Sequence, residues 1–311
     1  MSFINRVCDK VFVINLEKDK ERLQTFDNQM KKNDISYERF DAVLGSKVLR
    51  DERLSEYCNT FCTDAMKGCA LSHRSIWEIM IKEGYENIIV FEDDIIVPET
   101  FDRDFRNVWN FLPKDYDIVY LGYPFGMNED NNVAHQLYTK IHGYIPEEVN
   151  EYTLQIRGTV GAYGYMLSLK GAKHFCEKPI QFHVDAQIMY WIREYNYTSY
   201  AITPELVNTT VENSNISDTY PVILNSVLKK VKINDTINLK WLMNENFIKL
   251  AIFDINPLLC VILILLLFLP IKFFFIIYLW LTIEFLVSFD FKNTFRYFFF
   301  ILLINLFKYY R

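Results

Sequence analysis

Up to about Val222, short β-branched runs alternate with amphipathic stretches. Val11–Leu16 reads as a strand. The segment 17-EKDKERLQTFDNQMKKN-33 reads as a helix, with Leu23, Phe26 and Met30 three and four residues apart. Tyr37–Phe40, Ile88–Val97, Ile118–Leu121 and Ala162–Leu167 repeat the strand signal, and Leu71–Lys82 and Lys170–Cys176 the helical one. Strands separated by helices favour right-handed crossovers and a mostly parallel sheet with flanking helices. The pattern therefore predicts an α/β domain whose site lies at the strands' carboxyl ends. Residues 124–157 lack periodicity and predict a long surface loop or lid. No internal repeat is visible.

The tail changes character. Pro257–Ile271 carries no charge, FFFIIYLWLTIEFLVSF follows Lys272, and Phe295–Phe307 is apolar again. A spanning helix needs about 20 apolar residues. Ile252–Ile271 reaches that length only by including Asp254, Asn256 and Pro257, and Phe273–Phe289 includes Glu284. The bland alternative is a very hydrophobic helical core. The stretch is read as C-terminal hydrophobic helices forming a membrane anchor, either a two-helix hairpin or one span plus an interfacial helix. Lys249, Lys272, Lys292, Arg296 and Lys308 are then expected at the interfaces. The predicted organisation is a catalytic domain over 1–222, a connector over 223–248 and the anchor over 249–311.

Charge narrows the field. With 33 Lys+Arg against 39 Asp+Glu and a formal net charge of -6, the chain lacks the basic footprint of a nucleic-acid binder. The N-terminus shows no cleavable signal pattern, so the catalytic part is expected to face the cytoplasm, with its six cysteines as thiols. Four sequons, at Asn196, Asn208, Asn215 and Asn234, point the other way, but chance accounts for them in a chain rich in Asn and Thr.

The chemistry concentrates in 88-IIVFEDDIIV-97, where three carboxylates interrupt a greasy strand. One unpaired buried carboxylate costs several kcal/mol, and neighbours repel one another. Strand alternation sends Glu92 and Asp94 to one side and Asp93 to the other. If the strand ends there, Glu92 and Asp94 form a hard-oxygen site for Mg²⁺ or Mn²⁺, which offsets the repulsion. A solvated strand end is the bland alternative. Ile95–Val97, apolar again, is expected to bend back beneath the site and hold Asp94 rigid. Cys58, Cys62, Cys69 and His73 also read C-x₃-C-x₆-C-x₃-H, a spacing that suggests zinc.

In order along the chain, 11-VFVINLEKDKERL-23, 37-YERFDAVLG-45, 67-KGCALSHRSIW-77, 88-IIVFEDDIIV-97, 117-DIVYLG-122, 161-GAYGYMLSLKGAKHF-175 and 183-HVD-185 resemble glycosyltransferase family 25. That family includes lipooligosaccharide (lipopolysaccharide biosynthesis) and collagen galactosyltransferases. The resemblance covers about residues 10–190. It implies a GT-A-like (Rossmann-like) fold and transfer of a sugar, typically galactose, from a UDP-sugar with inversion. Asn15 and Arg22 then fall where the nucleotide lies, and Ser72 and His73 open a helix whose N-terminus suits donor anions. Asp93 orients the ribose or donor sugar. Asp185 is the base for the acceptor hydroxyl, and His183 completes the metal shell of Glu92 and Asp94. His73 is better used by this motif than by zinc.

The expected function is a membrane-associated, metal-dependent (Mn²⁺ or Mg²⁺) inverting glycosyltransferase acting on a glycan, glycolipid or protein acceptor. A catalytically inactive, membrane-tethered nucleotide-sugar-binding protein is the alternative. A nucleotidyl or phosphosugar transferase would need a Gly-rich triphosphate loop, and 15-NLEKDKER-22 has no glycine.

Overall fold

Val11 and Val13 pack on one face of a central sheet, and Phe12 and Ile14 on the other. The neighbouring strand divides the same way, Ile89 and Phe91 against Ile88 and Val90. A strand buried on both faces must be apolar throughout, which is why these runs show little alternation of polarity. The computed structural model describes residues 1–122, 146–159, 161–209, 219–232 and 238–310. They fall into two units, Met1–Asn213 and Ser214–Arg311.

In the first unit the elements run α1 (Ile4–Val7), β1 (Lys10–Asn15), α2 (Lys20–Lys32), β2 (Glu38–Asp41), α3 (Glu56–Phe61) and α4 (Asp64–Glu83). Then come β3 (Asn87–Glu92), β4 (Ile95–Ile96), α5 (Phe101–Trp109), β5 (Ile118–Tyr120), β6 (Glu147–Asn150) and β7 (Thr153–Ile156). β8 (Gly164–Ser168), α6 (Leu169–Cys176), α7 (Val184–Tyr195), β9 (Ser199–Ile202) and β10 (Asn208–Thr209) complete it. The main sheet is ordered β2-β1-β3-β8-β5-β9-β7-β6. Helices α4, α6 and α7 supply Trp77, Phe175 and Trp191 to one face, while α2 and α5 supply Phe26 and Phe105 to the other. The result is a three-layer α/β sandwich.

Strand direction is mostly shared. β2, β1, β3, β5, β9 and β6 run one way, and β8 and β7 run against them. The expected Ala162–Leu167 strand thus exists as β8, but it lies antiparallel between β3 and β5. Burial patterning sets which residues form a strand, whereas the preceding connection sets its direction. The predicted loop over 124–157 is corrected in part. Residues 123–145 lie outside the described residues, but β6 and β7 form an antiparallel hairpin at the sheet edge. With four residues in each strand and only Leu154 and Ile156 as buried apolar residues, that hairpin is too short for its period to stand out.

Helix α4 is the larger correction. The expected helix over Leu71–Lys82 begins at Asp64, with the Thr63 hydroxyl accepting from the Met66 N–H as N-cap, and ends at Gly84 with φ +72°. Its first turns pass close to the loop after β2. A Cβ on Gly68 would lie 2.5 Å from the Val43 carbonyl oxygen, and one on Gly45 would lie 1.6 Å from that of Asp64. Only glycine lets the two backbones meet there.

The second unit holds α8 (Val222–Leu228), α9 (Leu239–Asn244), a hairpin of β11 (Ile248–Leu250) and β12 (Phe253–Ile255), then α10 (Pro257–Phe268), α11 (Phe274–Ser288) and α12 (Phe291–Tyr309). Asn256 caps α10, whose last turn ends ahead of Pro270, so the Pro257–Ile271 run gives only a short helix. Among the described residues, one segment, Ile271–Ser288, is long and apolar enough to cross a membrane. Two charged residues of this unit, Glu284 and Arg296, are turned inward. Glu284 is fully buried and accepts from the backbone N–H groups of Ile223 (3.0 Å) and Leu224 (3.2 Å) and from Trp280 Nε1 (3.2 Å). Arg296, expected at an interface, is buried and donates to the Asp254 carbonyl. Phe268, Phe275, Leu286 and Phe289 face outward.

The glycine contact yields a stability prediction. Gly45→Ala is expected to lower unfolding free energy by about 1–3 kcal/mol in urea titrations, because backbone must move to admit the methyl group. An unchanged midpoint would show that the loop after β2 yields freely.

A candidate active site at the carboxyl ends of β1 and β3

β3 ends at Glu92, whose N–H donates to the Tyr163 carbonyl at 2.8 Å, and Asp93 and Asp94 form the turn that follows. The predicted unbroken strand over Ile88–Val97 is therefore two strands. β4 leaves the main sheet and pairs antiparallel with β10. Gln29 of α2 pins the exit, its side-chain N–H donating to the Ile95 carbonyl (3.1 Å) and its carbonyl accepting from the Val97 N–H (2.6 Å). Ile95 and Val97 are buried against the α2 face. The expected bend beneath the carboxylates is present, and Gln29 fixes it.

The turn distributes the three acids among different elements. Asp93 is buried and accepts from Asn15 Nδ2 at 2.5 Å and from Arg22 at 3.1 Å. Arg22 also reaches Asp94 at 3.5 Å. Asn15, at the end of β1, is held in turn by Arg39 of β2, which donates to its side-chain oxygen (2.9 Å) and its backbone carbonyl (3.2 Å). Glu92 faces α4, where its Oε1 lies 3.3 Å from His73 Nε2 and 3.9 Å from Cys69 Sγ. Arg22 and Asn15 are thus gathered on Asp93.

His73 is buried at mid-helix, not at a helix opening, and stacks on Tyr165 of β8. Its Nδ1 lies 2.9 Å from the Tyr165 hydroxyl, which accepts from Trp77 Nε1 at 2.9 Å. With Glu92 ionised, hydrogen-bond accounting assigns one direction: Trp77 donates to Tyr165, Tyr165 to His73 Nδ1, and His73 Nε2–H to Glu92. Burial pushes the imidazole down to about 3, so it is neutral, as this chain requires. Ser72 is also mid-helix and buried. Its hydroxyl donates to the Gly68 carbonyl (2.7 Å) and accepts from the Val43 N–H (2.9 Å), so it clamps the loop after β2 and does not open a helix N-terminus. The helix begins two turns earlier than expected because Thr63 supplies the cap.

Asp185 sits in the first turn of α7. One carboxylate oxygen accepts from the Gly161 N–H at 2.8 Å, and the other accepts from His183 Nδ1. His183, expected to complete a shell around Glu92 and Asp94, thus engages Asp185. Burial, reinforced by His73, pushes it down to about 4, so the neutral ring donates to the carboxylate. Cys58 and Cys62 are buried, Cys62 against the Gln181 carbonyl, and among the described residues the group with three potential ligand atoms within 4.8 Å of one another is Cys69, His73 and Glu92. The four-residue zinc spacing is not what the fold assembles.

Electrostatically the acids are strained. Burial, then the Asp93 charge, pushes Glu92 up to about 7 against the pull of Arg22. Burial and Glu92 push Asp94 up to about 7 as well. Burial also raises Asp93, though Asn15 and Arg22 hold it back. Arg22 pairs with both Asp93 and Asp94, and its charge also acts on Glu92. Missed from the sequence were Arg39, Tyr165 and Trp77. Arg39 is two residues before Asp41 on a strand adjoining Asn15, a link that only strand pairing reveals. Tyr165 and Trp77 read as core aromatics.

The model of the family described as "Glycosyltransferase family 25 (LPS biosynthesis protein)" matches residues 8–188. A Glycosyltransferase 25 family member of Drosophila melanogaster is 29% identical over 188 residues, which is 55% of this chain and 28% of that protein. Procollagen galactosyltransferase 1-A of Xenopus laevis is 28% identical over 180 residues, 53% of this chain and 27% of that protein. Inactive glycosyltransferase 25 family member 3 of Mus musculus is 29% identical over 179 residues, covering 53% and 28%. The chain thus spans less than a third of the length of these relatives. A solved structure, "Crystal Structure of A197 from STIV", aligns at a TM-score of 0.35 with 15% identity over 62% of this chain and 80% of that one, a likeness too slight to bear on fold or function.

The raised acids predict a pH effect on stability. A carboxyl whose folded value is near 7, against 3.8 ordinarily, binds its proton more tightly when folded. The stability it contributes is complete below pH 4 and lost as pH rises through 7. His73 and His183 give the opposite slope, since stability from a depressed histidine is lost as pH falls below 6.5. Comparing Asp94→Asn with the wild type isolates the acid. In metal-free protein the variant is expected to be more stable at pH 8, by about 1–3 kcal/mol, and unchanged near pH 4 in thermal unfolding.

Proposed function

The chain belongs to glycosyltransferase family 25, and from that premise we propose that it is a membrane-associated, metal-dependent, inverting glycosyltransferase. It moves a sugar, galactose by family expectation, from a UDP-sugar to a glycan, lipid-linked or protein acceptor. The observation that carries this reading is the acidic turn after β3, gathered with Asn15 and Arg22 at the carboxyl edge of the mostly parallel sheet inside the matched span.

Glu92 and Asp94 are hard oxygen donors crowded by burial and by neighbouring carboxylate charge, Asp93 acting on Glu92 and Glu92 on Asp94, and they fit Mn²⁺ or Mg²⁺. When bound, such an ion neutralises charge on a departing diphosphate. The remaining roles fall to this chain's own groups. Arg22 takes phosphate oxygens, and Asp93, oriented by Asn15, positions the ribose or donor sugar. The Trp77–Tyr165–His73 chain holds Glu92 in place. Asp185, oriented by the Gly161 N–H and His183, removes the acceptor hydroxyl proton as that oxygen bonds the anomeric carbon and the bond to UDP breaks. His183 acts here by positioning the base. Residues 249–311 serve as the anchor, joined through 223–248 to a catalytic domain over 1–222 that faces the cytoplasm, with Ile271–Ser288 as the span.

A second reading has a specific support: the similar Mus musculus protein is named inactive. Retention of the acids and of Asp185 favours turnover over binding alone.

Purified protein with Mn²⁺ is expected to release UDP from one nucleotide sugar in a donor screen and to stop in EDTA. Asp185→Asn is expected to lower kcat roughly 10²–10⁴-fold with little change in donor KM. Metal-independent release, or an Asp185→Asn variant within threefold of wild type, would sink the mechanism. Donor binding without any UDP release would select the inactive-protein reading.

A further inference from the structure

Beside the oxygen-only pair, the fold brings together three donors of mixed kind. Cys69 and His73 stand one turn apart on α4, on the face that meets the end of β3. Cys69 Sγ is 3.9 Å and His73 Nε2 3.3 Å from the same Glu92 oxygen, and all three atoms lie within 4.8 Å of one another. Ligand atoms around a tetrahedral zinc ion, with bonds of about 2.0–2.3 Å, stand roughly 3.3–3.6 Å apart. The side chains therefore need only small adjustments to close on such an ion.

We propose that Cys69, His73 and Glu92 form a three-ligand site for a thiophilic divalent cation of the zinc class, with its fourth position open to the crevice. One sulfur, one imidazole nitrogen and one carboxylate oxygen suit zinc and are a poor set for Mg²⁺. The site is preorganised. Two ligands are on a rigid helix, and the His73 ring is stacked on Tyr165. A cation on Nε2 replaces the proton that nitrogen gives to Glu92, and the neutral ring then carries its proton on Nδ1, donating over 2.9 Å to the Tyr165 hydroxyl, the kind of outer partner that orients a metal-bound histidine. Access is available because Cys69 is only partly buried and the Glu92 side chain is 31% exposed.

Glu92 belongs to both this trio and the proposed hard-oxygen pair. A zinc-class ion on the trio removes Glu92 from the Mn²⁺ or Mg²⁺ site, so such ions are expected to inhibit transfer in competition with Mn²⁺. That consequence rests on the transferase reading, whereas the binding itself does not.

The test titrates the metal-free full chain with Co²⁺, a coloured stand-in for Zn²⁺. One equivalent is expected to produce a thiolate-to-cobalt charge-transfer band that Zn²⁺ removes. Cys69→Ser should lose the band and weaken Zn²⁺ at least tenfold in competition with a chromophoric chelator, while circular dichroism reports an intact fold. Cys69→Ala serves as a second variant should the serine perturb α4. A Cys58→Ala/Cys62→Ala variant should keep the band. No band at one equivalent, a band that survives loss of Cys69, or one that vanishes with Cys58 and Cys62 overturns the assignment. Asp94→Asn should keep the band, so a failure of the transferase reading would leave this result standing.

Discussion

Three adjacent carboxylates at the end of a buried strand are the constraint around which the first unit is arranged. Left together in a low-dielectric core they would cost many kcal/mol. The chain meets this by ending β3 at Glu92 and turning, so that each acid meets a different element. Glu92 goes to α4 through His73, Asp93 to β1 through Asn15, and Asp94 shares Arg22 of α2 with Asp93. Gln29 then fixes the outgoing strand.

The core and the chemistry of this unit were legible from sequence to different depths. The strands near β1, β3 and β5 were readable because Val11 to Ile14 and Ile88 to Phe91 are buried on both faces, which demands uninterrupted apolar runs. The acidic turn stood out because adjacent carboxylates at the end of a buried strand are costly unless used, whereas Asn15, Arg22 and Asp185 were picked out by the family resemblance. Strand alternation, however, applies only while the strand lasts, so the division of Glu92 and Asp94 from Asp93 lost its basis once the chain turned at Asp93. The contacts of Ser72 and His183 were not legible for a related reason. A hydroxyl or an imidazole near a motif carries no mark of its partner, and the partners here, the Val43 N–H and the Asp185 carboxylate, follow from packing.

The second unit shows what a summed hydropathy leaves out. Along the chain, Glu284 and Arg296 look like interruptions of apolar segments. In space they are its interior, one capping the start of α8 and the other holding the carbonyl of Asp254, while phenylalanines and leucines face outward. Which side of a helix a charge occupies is a tertiary fact, invisible to a window average.

The segment 68-GCALSH-73 shows how tightly structure and chemistry are joined. On a helix, residues four apart share a face. Gly68 and Ser72 form one such pair, and both grip the loop after β2, by close approach and by hydrogen bond. Cys69 and His73 form the adjacent pair, and both face Glu92. Ala70 and Leu71 fill the core between helix and sheet. Every position of the hexapeptide is thus committed, and the two gripping faces lie side by side on one rigid rod. A shift of α4 along its axis moves the loop following Asp41 and the partner of Glu92 by the same amount. The distance between those two edges of the crevice is therefore set by helix geometry and not by loop conformation, which is the condition a site needs if it is to hold a cation and an anionic ligand in fixed relation.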